Sequence, residues 1–308
     1  MRTKILSIPI YQSWRAIIVL MLLVVLTACA KVEPPIQASE VGDILTPITT
    51  TATNEYHQGQ FIWHDLLTPD AATAQQFYAK LFGWSFESHG RYSEITHNGK
   101  KIGGMLEIKP KDGEPVEAHW LPYMSVPDVD VAADFVKQQG GVVIKGPLDM
   151  QQRGRGALVA DPQGAQLVLL HAIGGDPADT EAENGGWLWN EIWTNVPAKT
   201  LSFYNTLGNY DEPTELNDYL ILENDGRWRA GIRTVFEDEY NVRWVPTIKV
   251  ANPKALVEEV AELGGVVWVT PEESETEGDT ALISDSTGAL FMIQRWPTNP
   301  TNLSEVGQ

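Results

Sequence analysis

The spacing of apolar positions changes along the chain, and each change marks an element. Residues 60–67 alternate between apolar and polar, the period of a half-buried strand. From Asp70 the period lengthens. Ala74, Phe77, Tyr78 and Leu81 are spaced for one face of a helix, and Asp70 stands where a carboxylate can cap the free N–H groups of its first turn. Strand-like stretches follow at 84–88, 92–97 and 101–108. A strand at 120–126 then leads into a helix from Asp128, with Val131, Phe135 and Val136 predicted on one face. Gly140-Gly141 ends that helix, because glycine takes the left-handed conformation without a steric penalty. Three more strands are predicted at 142–145, 156–160 and 165–171.

The same pattern then repeats. Trp63-His64-Asp65-Leu66-Leu67-Thr68 matches Trp189-Asn190-Glu191-Ile192-Trp193-Thr194, and each is followed at equal distance by a Phe-Tyr pair, Phe77-Tyr78 and Phe203-Tyr204. Val126 through Gly140-Gly141 matches Val250 through Gly264-Gly265, and Asp161-Pro162-Gln163-Gly164 matches Asp285-Ser286-Thr287-Gly288. In the second copy Asn252 caps a helix that opens on Pro253, with Leu256, Val260 and Leu263 as its stripe. Two tandem domains are expected, at 57–174 and 185–297, joined by a linker rich in turn formers. The fold class is α+β, each domain reading strand–helix–three strands, twice.

The N-terminus lies outside this pattern. Arg2, Lys4 and Arg15 precede an apolar run at 16–26. That run is too short for a membrane span, which needs about 20 residues, and it fits a secretory signal over 1–28. Leu26-Thr27-Ala28-Cys29 resembles a bacterial lipobox, which makes Cys29 the expected lipidation site. The chain is thus expected to be extracytoplasmic, held to a bilayer through Cys29. Residues 29–56, with Pro34, Pro35, Pro47 and a threonine-rich run, read as a flexible tether, and 298–308 as a disordered tail. Cys29 is the only cysteine, so no disulfide forms within the chain. Against 41 acidic residues stand 22 basic ones, a balance that excludes nucleic acid as a partner. Oligomeric state is not legible.

The Phe-Tyr-x-x-Leu-Phe-Gly-Trp run at 77–84, the Val126…Asp128…Gly140-Gly141 frame and Gly154…Asp161-Pro162-Gln163-Gly164 resemble the vicinal oxygen chelate superfamily, which includes glyoxalase I, bleomycin-resistance proteins and extradiol dioxygenases. The resemblance covers nearly all of 57–297. It implies paired βαβββ modules whose sheets curl into clefts. It also implies a divalent metal, with a His or Gln on a module's first strand and a Glu on its last. Transferred one at a time, those positions fall on Trp63 (or His64), Gly104, Trp120 or Leu121, and Val168. In the second domain they fall on Trp189, Gly231, Val245 and Met292. Of these only His64 has a metal-binding side chain of the required kind.

The six histidines, His57, His64, His89, His97, His119 and His171, all precede the second domain. A metal site, if present, would therefore lie in the first, through some arrangement of His64, Asp65, His119 and His171. Strict strand alternation sets Phe61, Trp63, Asp65 and Leu67 on the cleft face, and Trp187, Trp189, Glu191 and Trp193 on its counterpart. Tyr123 and Ser125 are expected to face inward, as are Thr247 and Lys249, with Lys249 a candidate partner for Glu191. An aromatic wall with one acid suits a planar or cationic small molecule. The expected function is therefore ligand binding through Trp63, Asp65, Tyr123, Trp189, Glu191 and Trp193, with no cofactor. The alternatives are a divalent-metal-dependent lyase or dioxygenase sited in the first domain, and a structural module of the cell envelope.

Overall fold

The computed structural model describes residues 45–109, 116–216, 219–235, 242–274 and 278–296. The expected signal segment, Cys29 and the expected 298–308 tail lie outside these residues. No helix among the described residues is long and apolar enough to cross a membrane.

Two open eight-stranded sheets make up the fold. The first comprises β1 (Phe61–Thr68), β2 (Ser85–His89), β3 (Tyr92–His97), β4 (Lys100–Glu107), β5 (His119–Ser125), β6 (Val142–Asp149), β7 (Gly154–Ala160) and β8 (Gln166–Ala172), in the order β2-β3-β4-β1-β5-β8-β7-β6. Helix α1 (Ala71–Phe82) follows β1, and α2 (Val129–Gln138) follows β5. The second repeats this order with β9 (Trp187–Thr194), β10 (Thr214–Leu216), β11 (Tyr219–Asn224), β12 (Arg227–Thr234), β13 (Arg243–Lys249), β14 (Val266–Val269), β15 (Thr280–Ser284) and β16 (Leu290–Gln294). Helix α3 (Pro197–Gly208) follows β9, and α4 (Pro253–Glu262) follows β13. The expected α+β fold of paired βαβββ modules is the one found.

Local chemistry starts and stops the helices. Asp70 accepts from the Thr73 N–H, Asp128 from those of Asp130 and Val131, and Asn252 from that of Ala255. Helix α1 ends at Gly83 in the left-handed conformation. One expected face position is wrong: α2 buries Val129, Ala132, Ala133 and Val136 and packs Phe135 against the same core, while Val131 is 66% exposed. The N–H of Val131 is one of the two held by the Asp128 cap, and its side chain points to the solvent side of that first turn.

The helices are shared between the two halves. Phe77, Tyr78 and Phe82 of α1 share one core with Val260 of α4 and with Ile248, Ile283, Phe291 and Ile293 of the second sheet. Val129, Ala133 and Val136 of α2 share another with Phe203, Tyr204 and Leu207 of α3 and with Leu222, Ile232 and Trp244. Each core is tied by the same polar network. The Tyr78 hydroxyl donates to Asp285 (3.0 Å) and accepts from the Trp120 indole (2.9 Å). The Tyr204 hydroxyl donates to Asp161 (3.0 Å) and accepts from Trp244 (3.1 Å). The repeated Phe-Tyr and Asp-x-x-Gly motifs therefore act across the halves, joining each half's first module to the other's second. The opposite face of each sheet carries its own, smaller apolar cluster, and the two candidate clefts lie there.

Candidate functional site

A β-bulge sets which side chains reach each cleft. The pairing of β1 with β5 shifts between Phe61 and Trp63, and that of β13 with β9 shifts between Thr247 and Ile248. The extra residue reverses the alternation beyond it. Phe61 and Trp187 therefore leave the cleft face on which strict alternation put them. Phe61 packs against Trp244 in one shared core, and Trp187 against Trp84 and Trp120 in the other. Trp63, Asp65 and Leu67 remain in the first cleft, and Trp189, Glu191 and Trp193 in the second.

In the first cleft Asp65 is the acceptor at the centre of a closed network. The Trp63 indole donates to it (2.8 Å), the Tyr92 hydroxyl donates (3.0 Å), and so does the Tyr123 hydroxyl. Arg153 lies fully buried above Trp63, its guanidinium carbon 4.5 Å from the ring centroid, and donates to the Tyr92 hydroxyl (2.9 Å). Burial pushes the Tyr92 and Tyr123 hydroxyls well above their ordinary range, and the neighbouring Asp65 charge adds to it, so both stay protonated donors.

The top of this cleft is closed by the chain itself. Ile48 is 1% exposed and packs in the same cluster as Trp63, Leu121, Tyr123 and Val168. The Thr46 hydroxyl donates to Glu94 and accepts from Lys101, which also pairs with Glu94 at 2.9 Å. The Thr46 carbonyl accepts from Arg153 Nε (3.2 Å). Residues 45–48 of the expected 29–56 tether are thus packed against the first sheet. Ile48 finds a complementary apolar cleft and Leu45 is buried near it in sequence, something composition alone does not reveal.

The second cleft keeps the frame and changes the walls. Glu191 accepts from the Trp193 indole (2.6 Å) and pairs with Arg233, with Nε–Oε1 at 2.8 Å and Nη2–Oε2 at 3.3 Å. Arg233, not Lys249, is therefore the partner of Glu191. Lys249 instead reaches Glu181 in the segment before β9 (3.1 Å), because it sits two residues past the bulge-adjacent Thr247 and so at the cleft's rim. Tyr219 occupies the place of Tyr92. Its hydroxyl accepts from the Trp189 indole (2.5 Å), and burial, with Glu191 beside it, holds that hydroxyl far above its usual range. The Arg233 guanidinium stacks over the Tyr219 ring at 5.1 Å. Trp189, Trp228 and Trp296 form a chain of rings at 6.1 and 5.9 Å that runs out to the surface. An open pocket of about 640 Å³ lies at this rim, lined by Glu181, Lys249, Arg295 and Trp296 among others.

Neither cleft fits the divalent metal that the sequence resemblance implies. Strand register puts Gly104 opposite Asp65 and Gly231 opposite Glu191, where the implied pattern has a glutamate. A Cβ at Gly104 would collide with the Tyr92 hydroxyl and the Asp65 carboxylate, and one at Gly231 with the Tyr219 hydroxyl. A tyrosine thus fills the space a ligand side chain would need. His64 points away from Asp65, to the back of the sheet. It stacks on Trp187 (4.1 Å), and its Nε2 lies 2.8 Å from Oδ1 of Asn190, its repeat equivalent. His119 and His171 lie at opposite ends of the sheet, bonded to the Glu117 and Val126 carbonyls. Among the described residues no three His, Cys, Asp or Glu side chains gather as a metal site would require.

Of the residues singled out from sequence, Trp63, Asp65 and Tyr123 come together but are sealed. Glu191 and Trp193 are buried, and Trp189 alone of the six is partly exposed. Tyr92, Glu94, Lys101, Arg153, Tyr219, Trp228 and Arg233 were missed. The matched pair Tyr92/Tyr219 recurs at the same offset as Gly104/Gly231, 127 residues, and could have been found. Arg153 and Arg233 carry no such signal.

Residues 60–169 match the family model described as Glyoxalase/Bleomycin resistance protein/Dioxygenase superfamily. CFP32 of Mycobacterium bovis, provisionally named a glyoxylase, is 30% identical over 250 residues, covering 78% of this chain and 96% of CFP32. The anthracycline biosynthesis protein DnrV of Streptomyces peucetius is 28% identical over 255 residues, covering 75% and 91%. Among solved structures, the Mn(II)-bound glyoxalase from Novosphingobium aromaticivorans aligns with a TM-score of 0.56 at 10% identity, over 78% of this chain and 83% of that one. The 2,2',3-trihydroxybiphenyl 1,2-dioxygenase of Sphingomonas wittichii aligns at 0.53 and 13% identity, over 78% and 91%. At these identities the structures share the fold.

Proposed function

We propose that this chain, which belongs to the Glyoxalase/Bleomycin resistance protein/Dioxygenase superfamily, binds a planar small organic molecule in its second cleft. One observation carries the reading. The aromatic wall there reaches solvent, with Trp228 38% exposed and Trp189 partly exposed, whereas Trp63 in the first cleft is 1% exposed. Arg233 neutralises Glu191, so stacking selects the ligand more than attraction of a cation does. A planar aromatic ligand is in keeping with the relative named for anthracycline biosynthesis. Glu191, Trp193 and Arg233 hold the floor beneath the stacked rings, and Tyr219 orients the Trp189 indole.

The test is a tryptophan-quenching titration with anthraquinone-2-sulfonate. Trp189→Ala and Glu191→Ala are each expected to weaken binding about tenfold, and Trp63→Phe to leave it unchanged. Affinity unchanged from wild type in both Trp189→Ala and Trp228→Ala would refute the site.

We place this activity outside the cytoplasm, on a bilayer to which Cys29 is lipidated. The support is the 16–26 apolar run ending in Leu26-Thr27-Ala28-Cys29. Radiolabelled palmitate should enter the wild-type chain and not Cys29→Ser. Equal labelling of the two would remove the anchor from this reading.

A further inference from the structure

Residues 45–48 sit in the first cleft as a bound molecule would. Leu45 and Ile48 are buried on either side of Thr46, whose two oxygens meet separate charged groups. Its carbonyl oxygen accepts from Arg153 Nε at 3.2 Å. Its hydroxyl lies between Glu94 and Lys101, donating to one and accepting from the other. Hydroxyl and carbonyl on this residue are separated by two carbons, the arrangement of a 3-hydroxy carbonyl compound.

The site is built, and it is not fully satisfied. Arg153 is 0% exposed and makes no ion pair among the described residues, and its Nη2 has no hydrogen-bond partner there. A buried guanidinium with an idle donor is costly. A backbone carbonyl offers it one oxygen, whereas a carboxylate offers two, matched to the planar fork formed by Nε and Nη2. Trp63 supports the guanidinium from below. Glu94 is itself almost fully buried and, with Lys101, forms a donor–acceptor pair suited to a hydroxyl.

We propose that the first cleft is a second ligand site, held closed by residues 45–48, and that it takes a small 3-hydroxy acid when that segment withdraws. The carboxylate would lie on Arg153, the hydroxyl between Glu94 and Lys101, and a short aliphatic part where Ile48 now packs. This site is independent of the planar-ligand reading of the second cleft.

The test uses the full chain, 3-hydroxybutyrate as ligand and calorimetry as readout. Ile48→Ser removes the apolar anchor of the segment, and Thr46→Gly removes its hydroxyl. Thermolysin cleavage within 45–56 reports whether the segment has left the cleft. Either variant is expected to bind 3-hydroxybutyrate at least about tenfold more tightly than the wild type, and butyrate about fivefold more weakly than 3-hydroxybutyrate. Adding Arg153→Met should abolish the gain, and adding Trp189→Ala should not change it. Release of the segment without 3-hydroxybutyrate binding would overturn the proposal. Failure of both variants to release it would also do so, since 45–48 would then be a permanent part of the wall.

Discussion

Two clefts built on one frame have taken different walls, and five pairs of positions show how. Asp65 and Glu191 are the central acids, Tyr92 and Tyr219 the hydroxyls against them, and Gly104 and Gly231 the gaps that admit those hydroxyls. Leu67 and Leu106, neighbours across the first sheet, are replaced by Trp193 and Arg233, neighbours across the second. The first acid is therefore satisfied by neutral donors and covered by the chain, and the second is satisfied by a half-exposed arginine. A repeated frame can keep its backbone register while one copy becomes interior and the other stays open.

The sharpest test of that asymmetry lies on the back of the sheets, where His64 meets Asn190. Burial lowers the His64 pKa to about 4, against a smaller opposing effect of the Asn190 bond. The unfolded chain takes up this proton near pH 6.5 and the folded chain does not, so stability falls as the pH drops from about 6.5 towards 4. The loss is about 3 kcal/mol at the lower end. Making the halves alike with His64→Asn should remove that part of the slope in urea denaturation at pH 4, 5, 6 and 7. An unchanged slope would mean that His64 does not fold as the neutral form.

The glycine pair comes next in size. Gly104→Ala should cost about 2 kcal/mol, since the colliding Tyr92 is enclosed, and Tyr92→Phe in the same chain should restore part of it. Gly231→Ala should cost less, about 1 kcal/mol, because a Cβ there meets the Tyr219 side chain alone, whereas one at Gly104 meets both Tyr92 and Asp65. Equal losses measured by thermal unfolding would show that the two hydroxyls are held alike. The smallest effect is on ligand uptake. Arg233→Met should change anthraquinone-2-sulfonate affinity by about threefold, because it acts from the floor through Glu191, and Trp228→Ala by a similar factor, because that ring is partly solvated. A much larger effect of Arg233→Met would make charge, rather than stacking, the selector in the second cleft.

Periodicity, capping residues and the internal repeat determined the elements, the α+β class and the family, because those signals are local or recur at a constant offset. Asp70, Asp128, Asn252, Gly83 and Gly140-Gly141 act within one turn of their own position, so their meaning is readable without the rest of the chain. Strand faces were legible only as far as alternation holds. A bulged residue, invisible in the sequence, moved Phe61 and Trp187 to the other side of their sheets. Tertiary structure alone decided that α1 and α2 serve the opposite half and that Arg233 rather than Lys249 meets Glu191. It alone decided that 45–48 fill one cleft and leave the other open. Each of these depends on which distant surfaces become neighbours. Burial and pairing are properties of that meeting, and residues brought together from 42 positions apart, as Arg233 and Glu191 are, or from 207, as Tyr78 and Asp285 are, leave no mark in the spacing of either segment.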